Sequence, residues 1–320
     1  MPELLPESKI YIEGFNLVLK NLSLGHQAVR DLFKKPLSDR ADFGRLAKIE
    51  DRFIPVDQDA NIKIRIYTPN VEGPLPIYIY YHGGGWVLGD IETCDKTCRM
   101  ISELTERIVV SVEYRLSPEY KFPIPVNDCY AALEWVSENA ETINGDASNI
   151  VVSGESAGGN MAAVVSMMAR DQNGPDITAQ VLVYPGTSFD FNTKSYEEFE
   201  NGFGLNKDLV IWFANHYIRD ERDKNEKYAA PLLADDLSDL PPALVIVAEV
   251  DVLRDEGLAY AKRLKEEKVQ VETICEKGLV HGYFANVEIF PKQIKNTVTN
   301  IARFLHEQKQ SKLLSSESLK

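Results

Sequence analysis

The stretch Val151-Val152-Ser153-Gly154-Glu155-Ser156-Ala157-Gly158-Gly159-Asn160 leaves the backbone few choices. Two β-branched residues end a strand, Ser156 sits between two glycines, and Met161-Ala162-Ala163-Val164-Val165 continues as a helix. Gly-x-Ser-x-Gly between a strand and a helix predicts a sharp elbow with the serine at its tip. The backbone there is strained. Strand and helix pass so close that the positions two before and two after the serine carry almost no side chain. The helix N-terminus brings partial positive charge to where an oxyanion would form. Glycine and serine are common in loops, so the pattern alone is weak, and its bland reading is an ordinary glycine-rich turn. Its place between strand and helix makes Ser156 a candidate nucleophile.

The rest of the chain supplies a setting for that elbow. Arg52-Phe53-Ile54-Pro55-Val56 and Ile62-Lys63-Ile64-Arg65-Ile66-Tyr67 read as a strand pair around a turn at 57–61. Apolar strands follow at 75–81, 108–112, 179–184, 243–248 and 269–274, and a helix is expected from about Asp128 to Asn139. Continuous apolar strands alternating with helices predict an α/β fold with a mostly parallel central sheet flanked by helices. Such a sheet binds its ligands at the carboxyl ends of its strands.

Residues 1–50 read as helical, with Leu17, Val18, Leu22, Leu24, Val29, Leu32 and Phe33 as an apolar face broken at Pro36. Aromatic residues in an acidic background fill 186–220, a long stretch between consecutive strands. The two segments are expected to form a helical cap over the strand ends; the alternative for 186–220 is a long crossover helix. The core is then split into 51–185 and 221–310, with a polar tail at 311–320.

A net charge of −14, from 35 basic and 49 acidic residues, argues against nucleic acid and anionic membrane surfaces as partners. Charges at Glu3, Glu7, Lys9, Glu13 and Lys20 interrupt any leader or membrane span near the start, so a cytoplasmic protein is expected. Cys94, Cys98, Cys129 and Cys275 match no zinc or redox spacing, and reduced thiols are expected. No metal or organic cofactor is implied.

A serine hydroxyl needs a base to take its proton. After such an elbow the partners follow in the order serine, acid, histidine. Of five histidines, His216, His281 and His306 follow Ser156, and only His281 lies in a loop after a strand. His26 reads as a surface residue and His82 as a brace for the glycine run that it opens. The acid is sought after the strand at 243–248, where Asp251 is best placed, with Asp255 and Glu249 as alternatives. Backbone N–H groups of Gly83-Gly84-Gly85, together with that of Ala157, suit an oxyanion hole.

Taken in order, His82-Gly83-Gly84-Gly85-Trp86, Tyr114-Arg115-Leu116-Ser117-Pro118-Glu119, Gly154-Glu155-Ser156-Ala157-Gly158-Gly159-Asn160, Asp251-Val252-Leu253-Arg254-Asp255-Glu256-Gly257 and His281-Gly282-Tyr283 span nearly the whole chain. In them the chain resembles the hormone-sensitive lipase family of the α/β-hydrolase fold, the family IV carboxylesterases. The resemblance implies Ser156 as nucleophile, Asp251 as acid, His281 as base, and Gly83, Gly84 and Ala157 as oxyanion donors. It implies hydrolysis of short to medium acyl esters through an acyl-serine intermediate. It also implies a small-molecule ester as partner, and a homodimer joined through the last strand, at Val269 to Ile274. Tyr114, Arg115 and Asp128 look structural. Glu155, Val252 and Tyr283 stand where the family more often has aspartate, proline and phenylalanine; none touches the reacting atoms, but Glu155 alters hydrogen bonding at the elbow. Two other readings use the same scaffold. One is an amidase or peptidase, and the other a non-catalytic small-molecule receptor, which the presence of His281 opposes.

Overall fold

The computed structural model describes residues 2–19, 22–33 and 45–317. The side chains of Leu17, Val18 and Leu22, and the break expected at Pro36, lie outside the described residues. Two helices open the chain, α1 (Pro6–Leu19) and α2 (His26–Phe33). An antiparallel pair follows, β1 (Leu46–Pro55) and β2 (Asn61–Pro69). Then come β3 (Leu75–Tyr81), α3 (Asp95–Thr105), β4 (Ile108–Glu113), α4 (Ile124–Glu138), β5 (Gly145–Glu155), α5 (Ala157–Asp171) and β6 (Ala179–Val183). The last part holds α6 (Lys194–Glu198), α7 (Lys207–Tyr217), β7 (Ala243–Val250), α8 (Arg254–Glu266), β8 (Val271–Val280) and α9 (Pro291–Glu317).

The eight strands among the described residues form one sheet in the order β1-β2-β4-β3-β5-β6-β7-β8. β2 pairs antiparallel with both β1 and β4, and every other pairing is parallel. This is the mostly parallel α/β sheet expected from the apolar strands, in the α/β-hydrolase arrangement that the resemblance implies. Helices cover both faces of its centre, so β6 is buried at every position and β4 at all but Glu113, with no alternation left to read. The crossover from β3 to β4 to β5 places β5 at the middle of the sheet, and Ser156 leaves its carboxyl end.

Several boundaries differ from expectation. β1 begins at Leu46, inside the stretch read as helical. It is an edge strand with one buried residue, Ile54, so no period-two burial pattern marks it. α4 begins at Ile124 rather than Asp128, because Pro125 in its first turn gives up only an N–H that would be unpaired anyway. β8 starts at Val271 and runs on to Val280, so the chain reaches His281 directly from a strand. Segment 186–220 contains the short helices α6 and α7, not one long crossover helix. α9 extends through 311–317 of the polar tail, and 318–320 lie outside the described residues.

The opening helices are fastened to the carboxyl ends of the strands. The Leu5 N–H and Ser8 Oγ both donate to the Gly278 carbonyl, at 3.1 and 2.8 Å. From α2, Arg30 donates to the carbonyls of Val87 and Ser117 and forms a two-pronged pair with Glu119, at 2.8 and 2.7 Å. The Arg115 guanidinium and backbone N–H both engage the buried Asp128 carboxylate, the structural role expected for that pair.

Candidate active site

Ser156 has φ 58° and ψ −119°, a conformation that side-chain-bearing residues rarely adopt, held by the sharp reversal from β5 into α5. Gly158 is required by contact: a side chain there would collide with the carbonyl of Tyr81 in the neighbouring β3. The Ser156 N–H donates to Val183 O at 2.9 Å, so the elbow is anchored to β6.

His281 Nε2 lies 2.8 Å from Ser156 Oγ, and Nδ1 lies 2.7 Å from Asp251 Oδ2. Next to a carboxylate Nδ1 carries the proton, which leaves Nε2 to accept from the serine hydroxyl. Asp251 is buried, and its other oxygen accepts the Leu253 N–H at 2.9 Å. The Tyr184 ring packs 4.6 Å from the imidazole and its hydroxyl accepts the Phe284 N–H, which steadies the loop beyond His281.

The other candidates lie elsewhere. Asp255 accepts the Ser195 N–H, and Glu249 pairs with Lys277 and accepts the Gly278 N–H. His216 binds Trp212 O on α7, His26 faces Glu119, and His306 meets Gln310. His82 is buried and stacked on Tyr114 at 4.3 Å, with Nδ1 donating to Gly83 O. Burial lowers its pKa, so it remains a neutral brace.

One expectation for the oxyanion hole needs correction. The Gly83 N–H donates to Glu155 Oε1 at 2.8 Å and is therefore already engaged. The N–H groups of Gly84, Gly85 and Ala157 have no acceptor among the described residues, and all three residues line the cavity above Ser156. Glu155 was visible in the sequence as a departure from aspartate, but its partner, 72 positions away, was not.

That cavity holds about 380 Å³, at the small end of the range for small-molecule sites. Its walls are mainly apolar: Phe15 and Phe33 from the opening helices, Phe213 from α7, and Trp86, Phe189 and Leu253 from loops. Residues 78–285 match the family described as alpha/beta hydrolase fold. The chain belongs to that family. Its motifs and relatives place this α/β-hydrolase with the hormone-sensitive-lipase-like esterases. It is 40% identical over 266 residues to "Carboxylesterase NlhH" of Mycobacterium tuberculosis, covering 81% of this chain and 83% of the relative. It is 42% identical over 230 residues to an "Arylesterase" of Saccharolobus solfataricus, covering 72% and 75%. Among solved structures it is similar to the ester-hydrolase EH1AB1 from the metagenome of Lake Arreo, with a TM-score of 0.87, 35% identity, and coverage of 94% and 98%.

The hydrolase carries a second buried acid, Glu256, near Asp251. Glu256 Oε1 accepts the N–H groups of Thr187 and Ser188 at 2.6 and 3.2 Å, and Oε2 makes no hydrogen bond within 3.5 Å among the described residues. Burial, with a smaller push from Asp251 and Asp190, raises its pKa to about 8. A folded-state pKa above the unfolded value means that the folded form holds the proton more tightly. Its stabilising contribution is complete below the ordinary carboxyl range and is lost as pH rises toward 8. Glu256→Gln copies the neutral acid, so its melting temperature relative to wild type is expected to rise by roughly 5 °C or more between about pH 5 and pH 9. Melting curves of both proteins across that range check this; a constant difference would count against it.

Proposed function

We propose that the protein hydrolyses carboxylic esters of short to medium acyl chains through an acyl-Ser156 intermediate. The unbroken chain from Ser156 Oγ through His281 to Asp251, at 2.8 and 2.7 Å on the floor of the cavity, carries this reading. The protein is a carboxylesterase, as its relatives are named.

His281 Nε2 takes the Ser156 proton as Oγ attacks the ester carbonyl. The carbonyl oxygen gains negative charge and is met by the N–H groups of Gly84, Gly85 and Ala157, with the N-terminus of α5 behind the last. Gly85 takes the place first assigned to Gly83, whose N–H serves Glu155. As the intermediate collapses, the carbon–oxygen bond to the alcohol breaks and the imidazolium protonates the departing oxygen. Water then attacks the acyl-serine, with its proton going to His281; the bond from the acyl carbon to Oγ breaks, the imidazolium returns the proton to Oγ, and the acid leaves. Asp251 holds the imidazole's tautomer and stabilises its cation in both halves.

The apolar walls and small volume favour short acyl chains. Along p-nitrophenyl esters from acetate to palmitate, kcat/KM is expected to peak at short or medium length and fall at least about tenfold by palmitate. A maximum at palmitate would contradict the chain-length assignment, and no turnover of any ester would contradict the reading as a whole.

β8 ends the sheet, and among the described residues no further strand pairs with its outer edge, which supports a homodimer through that edge. A solution mass of one chain would refute it. The four cysteines are free thiols, three of them buried, which favours a reducing cytoplasmic location.

A further inference from the structure

One polar group in the cavity has no part in the reaction just described. Tyr11, from α1, packs its ring against Phe15 and Phe290 with centroids 5.7 and 5.8 Å away. Its hydroxyl rests on Gly282, the residue after His281, so closely that a methyl group there would collide with it. Gly282 also has φ 84°, so the position favours glycine twice over. The Tyr11 hydroxyl has no hydrogen-bond partner among the described residues, and the side chain lines the cavity. Asn286, on the same wall, is already engaged through its Nδ2 with Gly282 O at 2.7 Å. Burial first, then the nearby carboxylates Glu155 and Asp251, push the phenol's pKa up, so it remains an O–H donor.

The position of this donor says which half of a substrate it meets. The departing alcohol oxygen must take its proton from His281 Nε2, so the alcohol half leaves the reacting centre on the His281 side. Gly282, Asn286 and Tyr11 form the wall there. We propose that Tyr11 binds the alcohol half of the ester by donating a hydrogen bond to an oxygen within it, selecting alkoxy- or hydroxy-alkyl esters over plain alkyl esters. The proposal rests on the ester-hydrolase reading above. An apolar pocket discriminates weakly between substrates of equal size, whereas one well-placed donor distinguishes an ether oxygen from a methylene.

The test compares methoxyethyl butyrate with n-butyl butyrate, which differ by one oxygen in place of a methylene, in wild type and Tyr11→Phe. The phenylalanine keeps the ring packing, and melting temperature confirms that the fold is kept. Tyr11→Phe is expected to lower the methoxyethyl-to-butyl ratio of kcat/KM by roughly threefold to tenfold, mostly through KM, and to change the butyl ester less than about twofold. An unchanged ratio, or an equal loss on both esters, would overturn the proposal and leave Tyr11 a packing residue. A third ester, n-butyl methoxyacetate, carries the oxygen in the acyl half. If the ratio shifts for that ester and not for methoxyethyl butyrate, the alcohol-side assignment is overturned. Wild type that turns over none of the three removes the hydrolase reading, and the proposal with it; turnover with unchanged ratios removes the Tyr11 assignment alone.

Discussion

Ser156→Ala is expected to lower kcat on p-nitrophenyl esters by about 10⁵- to 10⁶-fold while leaving the fold intact. The substitution removes only Oγ and its 2.8 Å contact with His281 Nε2. Alanine keeps the Cβ and so meets the same strain at φ 58° as serine. The backbone anchors of the elbow, from the Ser156 N–H to Val183 O and from the Asn160 N–H to Ser156 O, do not involve the hydroxyl. Melting temperature should therefore stay close to wild type or rise slightly, because the removed group holds none of the elbow's backbone contacts. The residual rate reflects the oxyanion hole and substrate binding acting without a nucleophile. Steady-state kinetics on the folded variant decide the matter, and retention of more than about one per cent of the activity would mean another residue attacks the ester.

The second large effect is expected at the acid. Asp251→Asn should cost about 10⁴-fold in kcat. Asparagine can still accept the Leu253 N–H through its carbonyl, preserving the turn that Oδ1 holds at 2.9 Å. Its amide nitrogen then faces His281 Nδ1 where a carboxylate oxygen stood at 2.7 Å. Two donors cannot share that contact, so the imidazole proton moves to Nε2 and points at Ser156, and the base is lost without loss of shape. Asp255→Asn is the matched control, since Asp255 accepts the Ser195 N–H and pairs with Arg254 instead of reaching the histidine. It should lower kcat by less than about tenfold. Equal losses in the two variants would sink the assignment of Asp251 as the acid.

What could be read from the chain follows from how local the signal is. The elbow was legible because strand, glycines, serine and helix are adjacent and each constrains the next. The central strands were legible because burial on both faces leaves unbroken apolar runs, as at Ile108–Glu113 and Ala179–Val183. The first part of the exposed edge strand, from Leu46 to Asp51, was missed, since a strand with a single buried residue leaves little pattern in the sequence. Asp251 was already the best placed of the three by its position just past the strand, and the family resemblance raised it further above Asp255 and Glu249; in the structure the separation is geometric, because of the three it is Asp251 whose carboxylate reaches His281. Contacts between distant segments left no trace to read. The engagement of the Gly83 N–H by Glu155, the approach of Tyr184 to His281, and the seating of Tyr11 on Gly282 each join residues that only the folded sheet brings together.

The central claim is that Ser156 becomes acylated, and covalent trapping tests it most directly. A p-nitrophenyl alkylphosphonate mimics the tetrahedral intermediate: attack by Oγ forms a phosphorus–oxygen bond and expels p-nitrophenolate. Intact-mass measurement after incubation is predicted to show one adduct per chain, with peptide mapping locating it on Ser156. The adduct should be absent from Ser156→Ala and form far more slowly in Asp251→Asn. An adduct on a different residue, or none on a protein that does hydrolyse esters, would contradict the account.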